Sequence, residues 1–213
     1  MTIKAILWDF GGVLTTSPFE AFNRFEIEHN MPRDFIRGIN ATNPEHNAWA
    51  QFESSSIGFD EFDEKFAEES ASQGRRIQGR QVVELLSGQL RPRMVETLKH
   101  CKASFQVACI TNNLKTGAGP AMARSPERAE QMAAVMDLFD VVVESSVEGI
   151  RKPNPRIYEL TCERLGVAPA GTVFLDDLGV NLKPARAMGM HTIKVLSEEQ
   201  AIKDLGSATG LEL

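Results

Sequence analysis

Four short apolar runs punctuate the chain, and each ends on polar residues. Ile3-Lys4-Ala5-Ile6-Leu7-Trp8 precedes Asp9, Phe105 to Ile110 precedes Thr111-Asn112-Asn113, Val141-Val142-Val143 sits between Asp140 and Glu144, and Thr172-Val173-Phe174-Leu175 precedes Asp176-Asp177. Runs this short, bounded by turn residues, predict buried strands. Helical spacing fills much of the rest. Phe19, Phe22 and Phe25 recur on one face, as do Phe59, Phe62 and Phe66, and such stripes predict the core of a small helical bundle. Helical patterns also run from Pro126 towards Phe139 and from Asn181 to Met188, where Gly189 stops the second, and Ser197 reads as the cap of a last helix. The alternation predicts an α/β fold, a Rossmann-like core with a parallel sheet flanked by helices. The core comprises residues 1–16 and 91–213, and a helical unit over 17–90 is inserted after the first strand. Lys115 to Pro120 reads as a loop near the cleft.

Ligands of open parallel sheets bind outside the carboxyl ends of the strands, so the polar run ends are where chemistry is expected. Asp9, followed by Gly11-Gly12, places a carboxylate where backbone can crowd a ligand, which makes it a candidate nucleophile; the same pattern also closes ordinary strands. Asp176 and Asp177 are adjacent carboxylates, costly to bring together without a cation between them, although Asp also suits a helix start. Thr111 and Asn112 offer hydroxyl, amide and backbone N–H donors suited to an anion, or form a plain turn. Lys152 lies in Gly149-Ile150-Arg151-Lys152-Pro153-Asn154-Pro155, where the prolines predict a stiff loop.

In order and spacing, Asp9-x-Gly11-Gly12-Val13, Ile110-Thr111-Asn112, Lys152-Pro153 and Leu175-Asp176-Asp177 resemble the four motifs of the haloacid dehalogenase (HAD) superfamily. More narrowly, Gly149 to Tyr158 and Phe174 to Met190 resemble the phosphatase domain at the front of soluble epoxide hydrolase and the HAD domain fused to some acyl-CoA dehydrogenases. The resemblance implies that the helical unit is a cap that closes over the site and sets substrate choice. It implies that Asp9 attacks phosphorus to form an aspartyl-phosphate, and that Asp9, the Gly11 carbonyl and Asp177 bind Mg²⁺. Gly12, Thr111, the Asn112 backbone amide and Lys152 are then expected to contact the phosphoryl group, and Asp176 to orient Lys152 or a metal-bound water. Asn181 is expected to support the metal loop or to serve the helix start.

One position departs from the phosphatase pattern. Phosphatases of this superfamily carry a second Asp two residues after the nucleophile, as general acid and base; here that residue is Gly11. General acid–base help is worth roughly 10²–10⁴-fold, so its loss favours esters with good leaving groups, such as acyl and anomeric sugar phosphates. Thr15 and His46 are candidate substitutes, each also explicable as a turn or an exposed loop residue. Trp49, Arg75, Arg76 and Arg80 are candidate cap contacts, with packing and solvation as the plain alternatives.

Composition narrows the partners. With 213 residues and 42% hydrophobic content the chain can bury one full core plus an appendage. A net charge of −6 and no basic stripe exclude nucleic acid and anionic membrane as expected partners. Cys101, Cys109 and Cys162 show no metal or redox spacing, and Cys109 reads as core. No leader or membrane run is seen at the start, so a cytoplasmic protein, monomer or homodimer, is expected to act on a small phosphorylated molecule. Dehalogenation at carbon, which has little use for a metal, and non-catalytic phosphate binding stand as alternatives, and a phosphomutase is disfavoured without the acid/base.

Overall fold

The computed structural model describes residues 2–86, 88–113 and 126–213; the stretch Lys115 to Pro120 lies outside the described residues. Strand β1 (Ala5–Trp8) is followed by α1 (Pro18–Glu28), α2 (Phe35–Ala41), α3 (Ala48–Glu53), α4 (Phe59–Ser72) and α5 (Gly79–Glu84). The chain then alternates through α6 (Pro92–Lys102), β2 (Gln106–Thr111), α7 (Pro126–Met136), β3 (Val141–Glu144), α8 (Ser145–Glu148), α9 (Pro155–Leu165), β4 (Thr172–Asp176), α10 (Gly179–Ala187), β5 (His191–Lys194) and α11 (Glu198–Thr209).

The strands form one sheet in the order β3-β2-β1-β4-β5, every neighbour parallel. β1 is central: Ala5 lies opposite Gln106 on one side and Thr172 on the other. Side chains alternate across the sheet. Ile6, Trp8, Cys109 and Leu175 pack with α6, α7 and α11, while Leu7, Ile110 and Phe174 pack with α9 and α10. Burial on both faces explains why these strands read as continuous apolar runs rather than alternating ones. Strand order reverses between β1 and β4, which opens a crevice at their carboxyl ends.

The helix signals hold in kind and shift at their ends. Ser197 caps α11 by accepting from Gln200 N at 3.2 Å, and Asn154, extended at ψ 126°, starts α9 with Pro155 in its first turn. α10 begins at Gly179, ahead of the expected Asn181, and α7 ends at Met136 before Phe139.

The helices of the insertion have a core of their own around Phe22, Phe52, Phe62 and Phe66, all buried. Phe52 stacks on Phe62 at 4.5 Å, and Trp49 meets Phe62 and Phe66 in T-shaped contacts. The basic run faces neither core nor cleft: Arg80 holds Asp63, Arg76 reaches Glu64, and Arg75 reaches the Asn30 carbonyl. Where the chain leaves and rejoins the sheet layer, the two connections are tied together. Thr15 and Leu90 form an antiparallel bridge, flanked by Arg91 N to Leu14 O and Thr16 N to Gln89 O, both at 2.8 Å.

Candidate active site

Asp9 follows β1 directly, Thr111 ends β2, Asp176 ends β4, and the loop after α8 delivers Lys152. Lys152 Nζ lies 2.8 Å from both Asp9 Oδ1 and Asp176 Oδ2. Asp9 Oδ1 also accepts from Phe10 N at 2.7 Å, which orients the carboxylate. Oxygens of Asp9, Asp176 and Asp177 all lie within 4.8 Å of one another.

Lys152 is only 1% exposed, so its loop must be braced. The Asn112 side chain does this from both sides, accepting from Lys152 N at 2.9 Å and donating to Lys152 O at 3.0 Å. Asp176, with no exposure, accepts from Asn181 Nδ2 at 3.1 and 3.0 Å and from Leu178 N at 2.8 Å. Asn181 thus holds Asp176 at the start of the Asp176-Asp177 loop.

Asp177 is less well provided for. Ser17 Oγ reaches it at 3.4 Å, and Gly12 makes room for it: a Cβ on Gly12, whose φ is +78°, would stand 2.3 Å from Asp177 Oδ2. Only glycine suits both the left-handed backbone and that approach.

The electrostatics follow from burial and crowding. Burial pushes the Asp177 carboxyl up to about 6, helped by Asp176. Burial also raises Asp9 well above the ordinary carboxylate value; Lys152 opposes this, and Asp176 and Asp177 add to it. Burial works to lower Lys152, but Asp176 and Asp9 outweigh it and hold the ammonium charged. Among the described residues, then, Lys152 pairs with two of three crowded carboxylates, and Asp177 is left beside them without an ion pair.

A cleft of about 1340 Å³ runs between the sheet ends and the insertion. Asp9, Gly11, Thr111, Asn112, Lys152 and Asp177 line it. Gly12 and Asp176, read in the sequence as phosphate-binding and catalytic, do not: Gly12 sits against Asp177, and Asp176 lies beneath Lys152. Thr15 lines the cleft too, yet its hydroxyl is engaged locally with Gly12 N and Thr16 O. His46 and Trp49 face the cleft from the insertion. Among the described residues, and apart from Gly11 and its chain neighbours Phe10 and Gly12, no heavy atom lies within 4 Å of where a Cβ on Gly11 would stand.

A family model for haloacid dehalogenase-like hydrolases matches residues 3–189. The chain belongs to that family. Two mouse relatives match this HAD chain end to end: acyl-CoA dehydrogenase family member 10 is 34% identical over 221 residues, and bifunctional epoxide hydrolase 2 is 30% identical over 224. The alignments cover 99% and 100% of this chain but only 19% and 40% of those longer proteins. Sesquiterpene phosphatase astK of Aspergillus oryzae is 28% identical over 191 residues, 89% of this chain and 88% of its own. In fold, the chain is similar to a HAD family enzyme of Bacteroides thetaiotaomicron solved with magnesium and inorganic phosphate, with a TM-score of 0.58, 20% identity, and coverage of 90% and 93%.

Ser17 and Arg37 of this HAD site escaped the motif reading, and Asn113 was read only as part of a polar run. Ser17 occupies the N-cap position of α1 but makes no capping bond, and its hydroxyl faces Asp177. Asn113 ties the end of β2 to α8, its side chain accepting from Ser146 N at 3.1 Å and its backbone N–H donating to Ser145 Oγ at 3.0 Å. Arg37, stacked 4.4 Å from the Phe19 ring, lines the cleft from the insertion. Each depends on a contact distant in sequence or on side-chain direction, so periodicity carries no sign of it.

Proposed function

We propose that this chain is a Mg²⁺-dependent phosphohydrolase that acts on a small phosphorylated metabolite through an aspartyl-phosphate on Asp9. The observation that carries the reading is the charge imbalance at the sheet ends, where three carboxylates lie within 4.8 Å of one another and, among the described residues, Lys152 is the ammonium that pairs with two of them. Buried like charges persist when a cation balances them, and carboxylate and carbonyl oxygens are the donors a hard divalent ion prefers. The raised Asp177 marks that demand. Asp9, Asp177 and the Gly11 carbonyl would hold Mg²⁺, with Asp176 committed to Lys152 and Asn181. When bound, the ion supplies charge neutralisation that draws phosphate to the nucleophile.

The rest is done by the chain. Asp9, oriented by Phe10 N and Lys152, attacks phosphorus; the new Asp9 O–P bond forms as the P–O bond to the leaving group breaks. Lys152 offsets charge on the nucleophile and the phosphoryl oxygens, and Thr111 with the Asn112 backbone amide holds those oxygens. Water then attacks the same phosphorus, releasing phosphate and restoring Asp9. With Gly11 at the acid/base position, the leaving group departs as its anion, so acyl and anomeric phosphates are the preferred substrates.

The cleft is lined from the insertion by His46, Trp49 and Arg37, and this is the face that would choose among metabolites, consistent with a cap. The test is phosphate release from acetyl phosphate, a sugar 1-phosphate, a sugar 6-phosphate and p-nitrophenyl phosphate, with Mg²⁺ or EDTA. Turnover that needs Mg²⁺ and favours the acyl and anomeric esters supports the reading. Silence across the panel from folded protein would end it.

A further inference from the structure

Arg151 adjoins Lys152 in sequence, but its side chain serves the insertion. Arg151 Nε stands 2.7 Å from Glu53 Oε2 at the C-terminal end of α3, and its Nη1 donates to Pro44 O at 2.9 Å. Next to this contact, Ser55 Oγ donates to Ser146 O at 2.9 Å, from a backbone held in the left-handed region at φ +57°. The end of α3 therefore meets the sheet layer at two points, Arg151 and Ser146.

Glu53 is 7% exposed and lines the cleft. A buried carboxylate needs a partner, and among the described residues Arg151 is the cation within ion-pair distance of Glu53. The guanidinium meets Glu53 as a close ion pair rather than a directed hydrogen bond and donates to the Pro44 carbonyl from a second nitrogen, a two-point reach that a lysine ammonium on a flexible stem manages less well. An exposed pair could be dismissed as solvated charge. This one is partly withdrawn from water, with Arg151 only 25% exposed at its side chain.

Both contact points lead into the site. The residue after Arg151 is Lys152, whose N–H and carbonyl are gripped by the Asn112 side chain. Ser146 N donates to Asn113 Oδ1, and Ser145 Oγ exchanges bonds with the Asn113 backbone. Asn112 and Asn113 continue from Thr111 at the end of β2. Seating α3 thus fixes, from the cleft side, the segments that carry the ammonium and the oxygens' donors.

We infer that Arg151 is a positioning residue: through Glu53 and the Pro44 carbonyl it locks the insertion onto the Lys152 loop, so that seating of the insertion and alignment of Lys152 on Asp9 rise and fall together. Its catalytic consequence rests on the phosphohydrolase reading above; the coupling itself does not.

The test is amide hydrogen exchange by mass spectrometry on the full chain, comparing the unaltered protein with Glu53→Gln, which is near-isosteric, and Arg151→Lys, which keeps the charge and loses the guanidinium. Either substitution is expected to speed exchange about tenfold in both residues 48–56 and residues 145–154, with sheet peptides unchanged, because a local opening unit responds as a whole. Faster exchange confined to the replaced residue's own segment, or spread over the whole chain, would overturn the coupling. In parallel, kcat for acetyl phosphate is expected to fall about 10–100-fold in Glu53→Gln with KM changed far less, since a small misplacement of a catalytic group costs rate. Arg151→Lys should retain more kcat than Arg151→Met. If the unaltered protein releases no phosphate yet exchange is coupled, the phosphohydrolase reading fails and the lock stands. If phosphate release is robust and exchange uncoupled, the reverse holds.

Discussion

In the helical insertion, Glu26 and Asp63 are 1% and 2% exposed, and both are fully provided for. Glu26 accepts from Asp34 N at 2.8 Å and Ile36 N at 2.9 Å, and Asp63 accepts from Arg80 N at 2.8 Å and Arg80 Nε at 2.6 Å. Burial acts to raise Asp63, but Arg80 and the neighbouring backbone N–H groups outweigh it and bring the carboxyl below its ordinary value. At the sheet ends the balance reverses. Asp9 and Asp177 are raised, Asp177 to about 6, because burial and the crowding of neighbouring carboxylates outweigh what Lys152 returns. Burial is common to both regions, so burial does not mark the site. Unmet demand for positive charge does.

The sharpest break in this contrast is Asp9→Asn. It should cut phosphate release by at least about 10³-fold, as loss of a nucleophile does, while thermal unfolding shows little loss of stability because a crowded charge is gone. An active Asp9→Asn protein would show that the under-neutralised acid is not the nucleophile. Next in size is Gly11→Asp, which the open space at Gly11 can accept. Turnover of a sugar 6-phosphate should rise, by up to about 10²–10⁴-fold, with far less gain for acetyl phosphate. Equal gains for both esters would show that leaving-group protonation is not what the site lacks.

Lys152→Met should destabilise the fold by about 3–5 kcal/mol, the cost of stranding buried charges, and denaturant unfolding with and without Mg²⁺ would show whether the ion recovers part of that loss. The smallest effect belongs to the satisfied acids. Asp63→Asn should cost about 1–3 kcal/mol near neutral pH. A lowered folded pKa contributes stability above the unfolded value of about 3.9 and loses it as pH falls through the folded value. The melting gap between Asp63→Asn and the unaltered protein should therefore narrow in acid. A constant gap would assign the loss to packing instead.

Much of this was legible in the chain. Strands buried on both faces leave unbroken apolar runs, and the polar residues that end them lie at the sheet's carboxyl edge by construction, so Asp9, Thr111 and Asp176-Asp177 could be read directly. Lys152 was marked by the prolines beside it. What could not be read was which polar group grips which. The Asn112 backbone amide was read as a phosphate donor, whereas the work of its side chain, bracketing the Lys152 backbone, was not; nor was the closeness of Gly12 to Asp177. Glu53 and Arg151 meet across a long stretch of chain, in a direction that hydrophobic periodicity does not encode. The phenylalanine stripes were legible as bundle core, whereas Trp49 serves that core and the cleft wall together.

The register of β1 has a bearing on how the molecule assembles. Ala5 pairs with Gln106 and with Thr172, so the middle strand of the sheet precedes both of its partners in the chain, with the whole helical insertion made before the first of them. Until β2 and β4 arrive, Ala-Ile-Leu-Trp has two unpaired edges and two uncovered faces. Long-range parallel pairing of this kind slows folding and lengthens the time for which a sticky segment is open to other chains. The strand that leads into Asp9, the proposed nucleophile, is thus also a segment that stays open to other chains until its partners are made.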